Sequence, residues 1–173
     1  AAAHHTDINT APHALAATAC KTLVLGTRVH QYQTDMSCYT CSQLRRKALF
    51  TEAVRHGCNT IALGHHLDDI LTTALMNMLR HGTREGMEPV RVYNDGVLRL
   101  IRPLIFVPEE TIIRFCRAIG WRTFTCTCTC GTQGTRHTYR SKLEQLTDGS
   151  IKQKRNMLNV LHSYNLIDEF TKE

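Results

Sequence analysis

Thr60-Ile61-Ala62-Leu63-Gly64-His65-His66-Leu67-Asp68-Asp69-Ile70-Leu71 decides how this chain is read. Its first four residues form a short, largely apolar run of the kind a buried strand needs. From Ile70 to Leu79 apolar residues recur at helical spacing. Between the two lie a pair of imidazoles and a pair of carboxylates, on one strand-to-helix turn. Asp68 and Asp69 fall in the first helical turn, where the dipole favours carboxylates and free N–H groups need caps. Capping accounts for one Asp. It leaves His65, His66 and the second carboxylate unexplained at the carboxyl edge of a strand, where open α/β sheets bind ligands.

Outward from this turn, helix and strand alternate. Tyr39 to His56 sets Leu44, Ala48, Leu49 and Ala53 at amphipathic spacing, with Gly57 as a left-handed stop. The helix from Ile70 ends at Gly82. Val90 to Tyr93 and Val97 to Ile101 read as two strands around Asn94-Asp95-Gly96. Pro108 in the first position, with Glu109 and Glu110, opens a helix running to Ala118. Further pieces are a strand tail over Ala1 to Asp7, a helix over His13 to Cys20, and a strand over Leu23 to Val29. An extended piece over Trp121 to Thr125 and one helical region over 141–169 complete the chain. Strands that are nearly all apolar, alternating with helices, argue an α/β fold: a parallel sheet with helices on both faces. The Gly-rich phosphate loop that opens a doubly wound nucleotide-binding domain is missing from the sequence. The chain is therefore expected to start at the second strand of its sheet, as a truncated gene product or one half of a split enzyme.

The 173 residues have room for one ordinary domain and a small appendage. We divide them into a partial α/β domain over 1–120 and a cysteine-containing loop with a basic helical region over 121–173. Hydrophobic content of 42% and charged content of 21% exclude a disordered chain. No apolar run approaches the ~20 residues of a membrane span, and the first residues lack the basic and apolar regions of a secretory signal. A cytoplasmic protein with no membrane partner is expected. The net charge of +6 suits a polyanionic partner.

Eight cysteines are many for such a chain. Cys38 and Cys41 form a C-x-x-C pair at a helix start, and Cys126, Cys128 and Cys130 form a C-x-C-x-C run. Grouped cysteines in a reducing compartment point to metal or redox chemistry before disulfides. The helix N-terminus and the guanidinium groups of Arg45 and Arg46 favour thiolates at Cys38 and Cys41. Two such groups suit either a zinc site or an iron–sulfur cluster, and spacing does not choose between them. Arg45 and Arg46 are either solvated or anion-binding. Cys58 and Cys116 read as buried thiols, and Cys20 has no partner pattern.

Together, Cys38-x-x-Cys41-Ser42-x-Leu44-Arg45-Arg46, Ile61 to Leu71, Leu75-Met76-Asn77-Met78, Gly86-Met87-x-Pro89 and Ile101-Arg102-Pro103-Leu104 resemble the tRNA 2-thiocytidine synthetase family. The match runs from about residue 18 to 140. That family belongs to the PP-loop ATPases, adenine nucleotide alpha-hydrolase-like proteins that adenylate a base carbonyl with ATP and exchange its oxygen for sulfur. The resemblance implies a [4Fe-4S] cluster on Cys38, Cys41 and one cysteine near Cys126, with one iron left open for the sulfur donor. It implies catalytic roles for Asp69 and Asp68, with Arg45 beside cluster and substrate. Gly64, His65 and His66 would bind ATP with Mg2+. A cysteine desulfurase or other sulfur donor and a homodimer are the further expected partners. Two departures stand out: the Ser-Gly-Gly-x-Asp-Ser loop is absent, and the second cysteine group carries one extra residue.

Basic residues cluster near and after those cysteines at Arg136, Arg140, Lys142, Lys152, Lys154 and Arg155. With Arg46, they are the expected contacts to tRNA phosphates, which position an RNA without reading its sequence. The leading expectation is ATP-dependent insertion of sulfur into an anticodon-loop cytidine. The alternatives are an inactive, zinc-stabilised nucleic-acid-binding remnant and a relative that acts on uridine or forms lysidine.

Overall fold

The computed structural model describes residues 38–121 and 134–163. The elements expected before Cys38, the piece after Trp121, and Cys20, Cys126, Cys128 and Cys130 lie outside those residues. Three strands form one sheet: β1 (Thr60–Ala62), β2 (Val90–Tyr93) and β3 (Leu98–Ile101), in the spatial order β1-β3-β2. β1 and β3 are parallel, with Ile61 opposite Leu100, and the Leu63 N–H extends the pairing to the Ile101 carbonyl at 2.9 Å. β2 runs antiparallel to β3, with Tyr93 opposite Leu98, so the described sheet is mixed. The hairpin read from Asn94-Asp95-Gly96 accounts for that edge. Asp95 takes the left-handed conformation (φ 52°), which Asp tolerates better than most residues.

Among the described residues there are five α-helices: α1 (Cys38–Arg55), α2 (Leu67–His81), α3 (Glu109–Ala118), α4 (Thr135–Thr147) and α5 (Ile151–Ser163). α2 is the centre of the packing. Leu67, Ile70, Leu71, Ala74 and Leu75 form its buried stripe and meet Ile105, Leu143 of α4, and Leu158 and Leu161 of α5. The helix stops at Gly82 (φ 63°), whose N–H returns to the Met78 carbonyl.

Several expectations change. The single region over 141–169 is two helices, starting at Thr135 and broken where Asp148 (φ 46°) and Gly149 (φ 66°) turn left-handed. The Ser150 hydroxyl then accepts the Gln153 N–H and caps α5. Pro108 is the N-cap of α3, one residue before the position expected. On α1, Leu44 and Leu49 stay exposed, while Ala48 and Ala53 are half-buried. Neither lone cysteine is a core thiol: Cys58 is exposed, beside the turn that ends α1, and Cys116 is half-buried. No helix among the described residues is long and apolar enough to cross a membrane.

Candidate active site at the carboxyl edge of the parallel strands

Parallel pairing of β1 and β3 brings two chain segments to the same sheet edge. Gly64, His65 and His66 leave β1 there, and Arg102 leaves β3. The Arg102 Nε donates to His65 Nδ1 at 3.2 Å, and its Nη1 donates to the Glu88 carbonyl. An imidazole that accepts at Nδ1 carries its proton on Nε2 and is neutral. Burial is the largest influence lowering the His65 pKa; Arg102, Arg136 and Arg46 add to it, while Asp69 acts the other way. His65 is therefore expected to stay neutral, as the Nε2–H tautomer, at pH 7. Nitrogen-15 NMR of the labelled imidazole tests this, and a doubly protonated ring at pH 6.5 would refute it.

His66 is the N-cap of α2, and its backbone N–H donates to the Asp69 carboxylate at 3.2 Å, the reciprocal half of a capping box. Three carboxylates surround its ring. Nε2 lies 3.3 Å from Asp69 Oδ2 and 3.7 Å from Glu109 Oε1, and Nδ1 lies 3.7 Å from Asp68 Oδ2. Nδ1 is buried and has no hydrogen-bond partner among the described residues.

The two aspartates have different environments. Asp68 is 2% exposed. Its Oδ1 accepts from Lys154 Nζ at 2.7 Å, and its Oδ2 accepts the Glu109 N–H at 2.8 Å, which caps α3 from across the core. Asp69 is more open. Its Oδ1 accepts from Arg136 Nη2 at 2.9 Å, and the same guanidinium reaches the Asp69 carbonyl and the Thr73 hydroxyl, each at 3.3 Å. Burial pushes both carboxyls up and is the largest single influence on each. For Asp68, the Lys154 ammonium and the Glu109 amide outweigh it; for Asp69, His66 and Arg136 do. Both are held below the ordinary carboxylate range and are ionised at neutral pH.

The basic residues divide in the same way. Arg136 and Arg140 sit four apart on the face of α4 that carries Leu143 and Thr147 inward, and Arg140 pairs with Glu109. Lys142 is exposed, its ammonium 5.0 Å from the Tyr139 ring centroid. Lys152 and Arg155 are exposed on α5, as are Arg45 and Arg46 on α1. Lys154 corrects the reading from sequence. It is 7% exposed and bonds Asp68 and Glu144, so its charge is not available to a tRNA phosphate. Asp68, expected to be catalytic, has both oxygens engaged inside the protein. Cys41 is a free, half-buried thiol in the first turn of α1, one turn from Cys38. Among the described residues, no group of three or more His, Cys, Asp or Glu is arranged to hold a metal ion. Arg102 and Glu109 carry more of the site than the sequence suggested. Arg102 stands directly after a strand at the ligand-binding edge, and that position was the available signal.

A strand pair whose carboxyl ends converge on a His- and Asp-bearing helix start defines an α/β protein of the kind that binds ligands at that edge. The chain belongs to the PP-loop family: residues 8–145 match the PP-loop domain model. It is 37% identical over 137 residues to the tRNA-cytidine(32) 2-sulfurtransferase of Citrifermentans bemidjiense, covering 76% of this chain and 54% of the relative. It is 38% identical over 126 residues to the protein of that name from Geobacter metallireducens, covering 72% and 49%. The chain thus spans about half the length of the curated relatives it matches. Among solved structures, the U34-tRNA thiolase NcsA from Methanococcus maripaludis, with its [4Fe-4S] cluster, superposes with a TM-score of 0.60 at 19% identity. That match covers 81% of this chain and 46% of that one, and it shows the fold. The resemblance read from the motifs and the α/β fold class are both borne out.

Proposed function

We propose that this chain is part of an ATP-dependent tRNA sulfurtransferase that inserts sulfur into an anticodon-loop cytidine. The observation that carries the reading is the meeting of His65, His66, Asp69, Arg102 and Arg136 at one sheet edge, in a chain 37–38% identical to proteins of that name. A base carbonyl is a poor leaving group. Adenylation by ATP with Mg2+ turns its oxygen into part of AMP, and a sulfur nucleophile then takes its place. This needs charged groups preorganised around phosphate. His65, fixed by Arg102 with its proton on Nε2, is a donor for a phosphate oxygen, and Gly64 beside it leaves open space. Asp69 is the ionised carboxylate closest to solvent on this turn. Arg46 of α1 and Lys142, Lys152 and Arg155 of the last two helices are the proposed tRNA phosphate contacts, while exposed Arg45 is proposed to stand beside cluster and substrate.

The donor set suits a [4Fe-4S] cluster. Cys38 and Cys41 stand three residues apart in the sequence of the first turn of α1, and two thiols at that spacing are the kind of ligand such a cluster takes. Cys126 is proposed as the third ligand. When bound, the cluster would supply an open iron to carry sulfur from a cysteine desulfurase or another donor. Anaerobic reconstitution with iron and sulfide tests this. Brown protein with iron and acid-labile sulfide is expected, lost on Cys38→Ser, Cys41→Ser or Cys126→Ser and kept on Cys20→Ser. One equivalent of tightly held zinc, with no iron uptake, would contradict it and favour a zinc-stabilised remnant.

A further inference from the structure

Lys154 stands apart from the other basic residues of the last two helices. It lies beyond residues 8–145, the span matched to the PP-loop domain. With Ile151, Leu158 and Leu161 it shares one face of α5, and the face is otherwise apolar. Its Nζ bonds Asp68 Oδ1 at 2.7 Å and Glu144 Oε1 at 2.6 Å. A methionine would fill that stripe without removing an ammonium from water, and buried ion pairs seldom add stability over apolar residues of the same volume. The charge therefore needs another reason to be there.

The contacts supply one. Asp68 uses Oδ1 for Lys154 and Oδ2 for the Glu109 N–H at the start of α3. Glu109 in turn stands 3.7 Å from His66 Nε2, and that nitrogen is 3.3 Å from Asp69. Without Lys154, Asp68 would be a buried carboxylate free to change rotamer or take up a proton. The α3 N-terminus would then lose its acceptor.

We propose that Lys154 is a positioning residue: its ammonium locks Asp68 in the orientation that receives the Glu109 amide, and so sets Glu109 and His66 beside Asp69. Its bearing on catalysis rests on the sulfurtransferase reading; the positioning itself does not. Amide exchange measured by NMR on this chain reads the positioning directly. Lys154→Met is expected to speed exchange at the Glu109 amide at least tenfold, while Leu100 and Ile101 in the β1–β3 pair change less than twofold. Lys154→Arg is expected to restore Glu109 to within about threefold of wild type. Should Lys154→Met fail to fold, Lys154→Gln keeps a donor without the charge and is expected to give the same localised acceleration. Unchanged exchange at Glu109 overturns the proposal, and so does acceleration spread evenly over the sheet.

In the full-length protein, Lys154→Met is expected to lower kcat about tenfold with the KM for tRNA altered less than twofold. A raised KM with kcat intact would make Lys154 a tRNA contact and overturn the proposal. If wild-type protein thiolates no tRNA, the functional reading fails while the exchange result still decides the positioning.

Discussion

Asp69→Asn is expected to reduce thiolation by the full-length protein by about 10²–10³-fold or more, the usual loss when a preorganised charge leaves a reacting centre. Asn keeps the shape of Asp and an oxygen for the His66 N–H, so the start of α2 should survive and stability should change by less than about 1 kcal/mol. The lost charge is the one held by Arg136 and His66. Binding of tRNA should remain within about twofold, because phosphate contacts come from basic residues elsewhere. Single-turnover thiolation and filter binding, measured side by side, separate the two effects. Full activity in Asp69→Asn would remove Asp69 from the chemistry.

Asp68→Ala is expected to act on folding instead, at a cost of about 3 kcal/mol. Removing one member of a buried pair strands the other, and the Glu109 N–H loses its acceptor. Glu144 remains beside Lys154 and keeps the cost at the lower end of the range for such pairs. Urea denaturation should show a lower midpoint with an unchanged slope. The pH dependence has a definite sign. The Asp68 carboxyl is lowered in the fold from 3.8, so its contribution is complete above about that pH and lost as pH falls through the lower folded value. Lys154 is raised from 10.5: burial alone would lower it, but Asp68 and Glu144 outweigh that effect, so its contribution is lost only in strong alkali. Asp68→Ala should therefore flatten the acid limb of the stability profile. A limb as steep as wild type would show that the pair is not coupled to folding.

Much of the fold was legible because its signals are local. The stripe Ile70, Leu71, Ala74, Leu75 and the stop at Gly82 define α2 by themselves. Asp95-Gly96 between two aliphatic runs defines the hairpin. The break at Asp148-Gly149 carried an equally clear turn signal, but a long helical pattern on both sides concealed it. The site was half legible. His65, His66 and Asp69 stand in one motif, whereas Arg102, Glu109 and Arg136 reach them only through sheet pairing and helix packing. Lys154 was misread for a physical reason: a lysine among lysines reads as solvated. Its period told otherwise, since it shares a face with half-buried Ile151 and buried Leu158 and Leu161. Arg136 and Arg140 share a face with Leu143 and Thr147 in the same way. A charged residue at a core position of a helix is a candidate for an internal partner before an external one.

In the proposed function the carboxyl-edge turn and the cysteine pair act together to place sulfur on a tRNA cytidine. The most direct measurement is mass spectrometry of nucleosides from tRNA of cells that lack their own cytidine thiolase and express the full-length protein. 2-Thiocytidine is expected with the wild-type protein and none with Cys41→Ser. Unmodified cytidine despite folded, cluster-loaded protein, or sulfur found on uridine instead, would contradict it.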